Sequence, residues 1–226
     1  GYVPFPVKRE EEMEMLLACG AEQKASFSLS KGNYVFPCQH IGDLKNLETL
    51  SLYETQIKYF ERLFDIVPKA IACDLHPDYM SSEYAENRAK KENIPLIKIQ
   101  HHHAHMASCM ADNSLSGDVI GVIWDGTGLG TDGTSWGGEF LTGGFGGFER
   151  AGHIRPLKLI GGDKAMEDIA RTAFYLLKDS LCSTENIENG ELYSKLLEAY
   201  FFLNNFYFFL FLINDLHPSV IDFIFR

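Results

Sequence analysis

The chain has 226 residues, 46% hydrophobic and 23% charged. This is globular composition and excludes a disordered or collagen-like chain. The length suits one large domain or two small lobes around a sizeable core. A formal charge of −11, from 31 acids against 20 bases, makes an acidic surface that repels phosphate backbones, so no nucleic-acid partner is expected. The five cysteines (Cys19, Cys38, Cys73, Cys109, Cys182) are odd in number and form no CxxC pair, which leaves free thiols in a reducing cytoplasm.

The N-terminal GYVPFPVKREEEMEM has no basic or apolar leader region, so it is not a signal peptide. With Pro4 and Pro6 in extended chain it reads as a linker over residues 1–14, inside a longer protein. Residues 15–42 then alternate apolar runs with glycine turns, including Lys31-Gly32-Asn33, and predict three strands joined by hairpins. Asp43 is the expected cap of a helix over 43–64, where Leu44, Leu47, Leu50, Ile57, Phe60, Leu63 and Phe64 recur at helical spacing. Next come a strand over 70–75, a helix over 79–92, a strand over 95–100 and a helix beginning HHHAH. Residues 119–124 form a strand entering a glycine-rich loop. Strands over 135–144 and 148–157 and a helix over 164–178 follow.

The order β-β-β-α-β-α-β-α, followed by the start of a second such unit, is α/β. It is the order of the actin-like ATPase (ribonuclease H-like) fold, whose two lobes close on a nucleotide. The expected domains are a first lobe over 15–118, a partial second lobe over 119–198 and an atypical tail over 199–226. Residues 200–226 hold 10 of the 29 aromatics but three charged residues, Asp215, Asp222 and Arg226. The apolar stretch there is about fifteen residues, short of the ~20 that cross a bilayer, so no membrane span is expected. A frameshifted or readthrough end is the preferred reading of the tail; a buried helix and an anchor are the alternatives.

His101 and His105 are four apart, which on a helix turns both imidazoles to one face, within reach of one divalent ion. Zinc, iron and nickel all accept imidazole. Asp125, at the end of the 119–124 strand, is the expected carboxylate ligand. His102 and His103 point elsewhere, as supporting groups, substrate contacts or surface residues. The run DGTGLGTDGTSWGG holds six glycines in fourteen positions. Its amides can cradle a phosphate, with Thr127 adding a hydroxyl, although it is neither a Walker nor a Rossmann sequence. His40 (in QHIGD), His76 (in DLHPDY) and Lys24 (in GAEQK) are further polar candidates for the crevice.

Together LLACGAEQKASFSLSKGNYVFPCQHIGDLKNLET, DLHPDYMSSEYA, QHHHAHMASCMADN, VIGVIWDGTGLGTDGTSWGGEFL and LIGGDKAMEDIAR closely resemble the HypF carbamoyltransferases of [NiFe]-hydrogenase maturation, from about residue 1 to about 180. The resembling part is their C-terminal domain, related to the threonylcarbamoyladenosine protein. The resemblance implies a divalent metal, zinc or iron, on His101, His105 and Asp125. It implies nucleotide-phosphate contacts at Asp125, Gly126, Thr127 and Gly128, and catalytic crevice roles for Lys24, His40 and His76. It implies transfer of a carbamoyl group from ATP-derived carbamoyl-adenylate to the C-terminal cysteine of the partner HypE, on the way to the cyanide ligand of the hydrogenase iron. The remaining HypF domains would be further partners. The family's second lobe should continue past residue 180 with another glycine-rich motif and another aspartate ligand. Neither is visible, so the chain reads as a fragment, weakly active or inactive alone. The alternatives are an O-carbamoyltransferase, a threonylcarbamoyl-tRNA-type enzyme, or an inactive metal-binding remnant.

Overall fold

The computed structural model describes residues 5–162 and 164–182. The expected tail over 199–226 lies outside them. The first compact unit ends at Ile154 and the second begins at Arg155, so the first runs across the expected lobe boundary at residue 118.

A five-stranded sheet opens the chain: β1 (Val7–Met13), β2 (Leu16–Ala18), β3 (Ser28–Pro37), β4 (Ala70–Asp74) and β5 (Leu96–Ile99), in the order β1-β3-β2-β4-β5. β3 pairs antiparallel with both β1 and β2, while β2–β4 and β4–β5 are parallel. Three expectations are corrected here. Residues 7–13 belong to the sheet rather than to a linker. Their charges Lys8, Glu10, Glu11 and Glu12 face solvent on an edge strand, where charge blocks pairing with another chain. This run of charge hides the apolar alternation by which a strand is read. Gly32, expected in a hairpin turn, sits within β3 opposite Met13 at φ +58°, a local irregularity in one continuous strand. The long helix is capped by Asn46, whose side-chain Oδ1 accepts from Glu48 and Thr49 N–H; Asp43 instead accepts from Lys45 N–H in the preceding turn.

That helix, α1 (Leu47–Phe64), buries Tyr53, Ile57 and Phe60, spaced four and three residues apart on one face. They pack with Phe27, just before β3, and with Leu17, Leu29 and Ile71 of the sheet in the main core. The Tyr53 hydroxyl donates to the Cys19 carbonyl at 2.6 Å, so the end of β2 is tied to the helix by a fully buried bond. Burial pushes the Cys19 thiol up to about 12, that of an inert core cysteine. α2 (Met80–Glu92) follows β4, and α3 (His101–Asp112) follows β5. Glu22, 3% exposed, accepts from Met80 N–H at 2.6 Å and so caps α2 from the β2–β3 loop.

A second sheet, the meander β6 (Val119–Leu129), β7 (Ser135–Gly144) and β8 (Gly147–His153), is antiparallel throughout. β6 is longer than expected: most of the DGTGLG run lies within the strand, and the turn is only Gly130–Thr134. Met106 and Met110 of α3 share a core with Ile123, Trp136 and Leu141. In the second unit the helix expected over 164–178 is broken at Asp168 into α4 (Lys164–Glu167) and α5 (Ile169–Cys182). Asp168 Oδ1 accepts from Ala170 N–H, so its side chain starts a new helix instead of continuing the old one.

Replacing Tyr53 with Phe removes the donor to a buried carbonyl and is expected to cost about 1–3 kcal/mol in urea unfolding. Unchanged stability would mean that the Tyr53–Cys19 bond does not hold β2 to α1.

Candidate functional site

The site is assembled where two parallel strands end. Register pairs Asp74 of β4 with Ile99 of β5. Two residues after Ile99, α3 begins with His101, so the Asp74 carboxylate and the first imidazole meet. Asp74 is 7% exposed; its Oδ2 accepts from His101 Nδ1 at 2.7 Å, and its Oδ1 from His76 N–H at 2.9 Å. A bond at Nδ1 leaves His101 Nε2 turned outward from the strand end.

Three atoms then converge. His101 Nε2 lies 2.9 Å from Asp125 Oδ2 and 3.2 Å from His105 Nε2, and His105 Nε2 lies 3.7 Å from Asp125 Oδ2. All three lie within 4.8 Å of one another. Tetrahedral bonds of about 2.0–2.1 Å would set such ligand atoms about 3.3 Å apart. Asp125 is aimed by its own backbone: Oδ1 accepts from Gly126 N–H at 2.7 Å. The other oxygen, Oδ2, is buried without a well-directed hydrogen bond. A cation among the three atoms would satisfy it, so the donor set fits one.

The spacing of His101, His105 and Asp125 anticipated this cluster. The DGTG turn is placed differently from a simple phosphate loop. Gly128 is buried and pairs with Trp136 in the β6–β7 ladder. A Cβ there would stand 2.8 Å from His101 Cβ and 2.8 Å from His102 Cε1. A glycine is required because β6 passes directly over the histidines. A shift in β6–β7 register lies between Trp124 and Gly128, so Asp125, Gly126 and Thr127 fall in the irregular stretch. Gly126 is exposed and Thr127 half-buried.

His76 reaches the cluster only through Asp74. Its ring stacks on Tyr79 at 4.2 Å, and its Nδ1 accepts from Asp78 N–H at 3.2 Å. Lys24 and His40 are exposed and are brought near each other by the Ala25–Gly42 bridge. Neither makes a hydrogen bond or ion pair to the histidines. His102 and His103 part company: His103 Nε2 bonds the Gly144 carbonyl at 2.8 Å, fastening α3 to β7, while His102 is fully buried. Sequence reading missed Asp74, Gln100 and the burial of His102. The first two are legible only as the residue ending one strand and the residue capping a helix. Only the register joins them.

These contacts shift the acid–base behaviour. Asp125, then Asp74, raise His101 to about 9, and His101 in turn holds Asp125 well below the usual carboxylate range. Burial lowers His102, keeping it neutral.

The chain matches two family models: the HypF Kae1-like domain over residues 11–112, and the second subdomain of the carbamoyltransferase Kae1-like domain over 121–200. The chain belongs to the HypF carbamoyltransferase family. It is 38% identical over 201 residues to carbamoyltransferase HypF of Synechocystis sp., covering 84% of this chain and 26% of that protein. It is 40% identical over 168 residues to HypF of Rhizobium leguminosarum bv. viciae, covering 74% and 22%. A crystal structure of full-length HypF in a phosphate- and nucleotide-bound form superposes with a TM-score of 0.74 at 39% identity, over 87% of this chain and 26% of that one. The chain therefore spans about a quarter of the length of these HypF relatives. The likeness agrees with the expected α/β, actin-like ATPase-type fold.

The His101 shift fixes a pH dependence for the metal-free chain. Its folded pKa, about 9, lies above the reference 6.5. The stabilisation is therefore complete below about 6.5 and is lost as pH rises through about 9, to the extent of roughly 3 kcal/mol at most. Urea unfolding in chelator should show this decline, and Asp125→Asn should flatten it. An equal decline in the variant would refute the assignment.

Proposed function

We propose that the chain carries the carbamoyl-transfer site of a HypF-type protein: it binds a divalent cation, zinc or iron, on His101, His105 and Asp125 and passes a carbamoyl group from carbamoyl-adenylate to the C-terminal cysteine thiol of HypE. The observation that carries this reading is the convergence of two imidazole nitrogens and one carboxylate oxygen at near-tetrahedral separations, in a chain of the HypF carbamoyltransferase family. The bound cation would polarise the carbamoyl carbonyl as a Lewis acid and orient the mixed anhydride.

The chain's own residues do the rest. Three protein ligands leave coordination positions open, as a reaction site needs and a closed structural site does not. Asp74 holds the Nδ1 proton of His101 and keeps Nε2 directed at the cation. Gly126 is exposed beside Asp125, where its backbone can approach the adenylate phosphate and Thr127 can add a hydroxyl donor. A relative, full-length HypF, has a crystal structure in a phosphate- and nucleotide-bound form. His76, with Nδ1 accepting from Asp78 N–H, presents Nε2–H as a donor to a carbonyl or phosphate oxygen. Lys24, in the β2–β3 loop, and His40, in the loop after β3, would offer a charge and a donor. The thiol attacks the carbamoyl carbon, the C–O bond to the AMP phosphate breaks, and a thiocarbamate and AMP result. The nucleophile belongs to HypE, which agrees with the buried, inert Cys19.

Carbamoyl-adenylate would come from the remaining domains of a HypF-type protein. A cytoplasmic setting belongs to this reading; no helix among the described residues is long and apolar enough to cross a membrane. The acidic net charge of −11 disfavours the tRNA-directed alternative.

Two experiments test the proposal. Metal analysis after Zn2+ loading should find about one equivalent in the wild type and a loss of at least tenfold in affinity for His101→Ala/His105→Ala. Equal metal content would remove these ligands. Carbamoyl-adenylate and a HypE peptide ending in cysteine, given to a full HypF-type protein with the same two substitutions, should yield little thiocarbamate, with at least a hundredfold slower transfer. Undiminished transfer would sink the assignment of the site.

A further inference from the structure

His102 is fully buried, and its Nε2 has no hydrogen-bond partner. A buried imidazole nitrogen without a partner is costly unless something is meant to meet it. Its other nitrogen reveals which kind of group Nε2 is. Gln100 Oε1 accepts from the His103 backbone N–H at 2.9 Å, and Gln100 Nε2 donates to the Leu129 carbonyl at 3.1 Å. A backbone N–H only donates and a carbonyl only accepts, so both ends of the amide are assigned. The atom facing His102 Nδ1 at 3.0 Å is therefore the Gln100 amide nitrogen. His102 Nδ1 accepts, and the ring proton sits on Nε2.

That N–H lies 3.9 Å from Asp125 Oδ2, the carboxylate oxygen buried without a well-directed bond. A buried donor without a partner thus faces a buried carboxylate oxygen whose near contact, His101 Nε2 at 2.9 Å, is an ion pair rather than a well-directed hydrogen bond, and the separation from His102 is about 1 Å longer than a hydrogen bond. The His102 ring cannot swing away. Gly128 packs against its Cε1 edge, Trp136 lies 6.1 Å from it, and Gln100 is fixed at both ends. Asp125 is half-buried on an irregular stretch of β6, so the carboxylate is the partner able to adjust.

We propose that His102 is a positioning residue rather than a ligand: its Nε2–H, set by the Gln100 amide, closes onto Asp125 Oδ2 and holds that oxygen toward His101 and His105. The inference rests on the reading that His101, His105 and Asp125 take a divalent cation. It adds that the middle imidazole of the HHH run serves the carboxylate.

The full chain tests this with Zn2+ competed against a chromophoric chelator and with Co2+ absorption. His102→Ala should weaken Zn2+ binding about tenfold to a hundredfold, the range for groups that orient a ligand. The Co2+ spectrum should keep its wild-type band pattern. His102→Gln, whose amide nitrogen reaches the Nε2 position, should recover most of the affinity. Unchanged Zn2+ affinity in His102→Ala overturns the proposal. A changed Co2+ coordination spectrum overturns it too, by making His102 a ligand. Wild-type chain that binds no Zn2+ overturns the cation reading and this inference together, whereas wild-type binding with an indifferent His102→Ala overturns this one alone. Long-range 1H–15N spectra of the histidine side chains, recorded on the wild type, need no variant to fold. A protonated Nε2 and a bare Nδ1 on His102 are expected, and the reverse pattern refutes the argument.

Discussion

The bond between Asp74 and His101 is the contact on which the site depends, and it is set by strand register rather than by either residue. β4 and β5 are parallel, with Asp74 beside Ile99. One strand ends in a carboxylate, and the other runs into the first turn of α3. Had β5 slipped by one residue, its side-chain alternation would reverse, and His101 would no longer meet Asp74 at 2.7 Å. The register is held in turn by the core beneath it. Ile71 on β4 packs with Leu17, Tyr53 and Ile57, and β2, bonded on both sides, is anchored to α1 by the Tyr53 hydroxyl. The orientation of one imidazole is thus a consequence of apolar packing some distance away.

The second requirement is close approach. α3 lies along β6, and the chain supplies glycines where the two would collide. Besides Gly128 under His101 and His102, Gly121 faces Met106, where a Cβ would stand 2.7 Å from the sulfur. With the two elements so near, Asp125 on β6 comes within ion-pair distance of two histidines on α3, 2.9 Å from His101 and 3.7 Å from His105. The glycine-rich run has here a packing function that needs no ligand, and only its irregular part, Asp125 to Thr127, is left free of the ladder. Glycine content alone cannot separate these roles, since both demand the absence of a side chain.

This explains which parts were legible in the sequence. The helical spacing of His101 and His105 is a local signal that pairs the two imidazoles; Asp125 was expected at a strand end, whereas it lies inside β6, in the irregular part of the ladder. The alternation of strands and helices from Ala70 to Asp112 is equally local, and its boundaries agree to within about one residue; beyond it β6 runs longer than expected and the last helix is broken at Asp168. Asp74, Gln100 and His102 were missed because their roles exist only across space, between β4 and α3 or between α3 and β6. β1 was hidden for another reason. An edge strand guarded by charge carries little apolar alternation, so Lys8 to Glu12 looked like solvated linker. The break at Asp168 was missed because an aspartate within an amphipathic run reads as a surface residue until its side chain is seen to cap the next turn.

The electrostatics of the cluster joins these two levels. Two carboxylates, Asp74 and Asp125, flank one imidazole, and together they hold a proton on it to about pH 9. The same geometry that favours the proton favours a divalent cation, which would replace the proton on His101 Nε2 while Asp74 keeps the one on Nδ1. Two neutral imidazoles, one carboxylate and a doubly charged ion leave one net positive charge. Asp74, hydrogen-bonded behind His101, offsets that charge from outside the ligand set. With such an ion held there, an anionic phosphate would be attracted less tightly than by an uncompensated charge. An exposure of only 7% for Asp74, against an exposed His105, gives this arrangement its direction. The compensating charge lies inward, under the sheet ends, and the surface left for a ligand faces out.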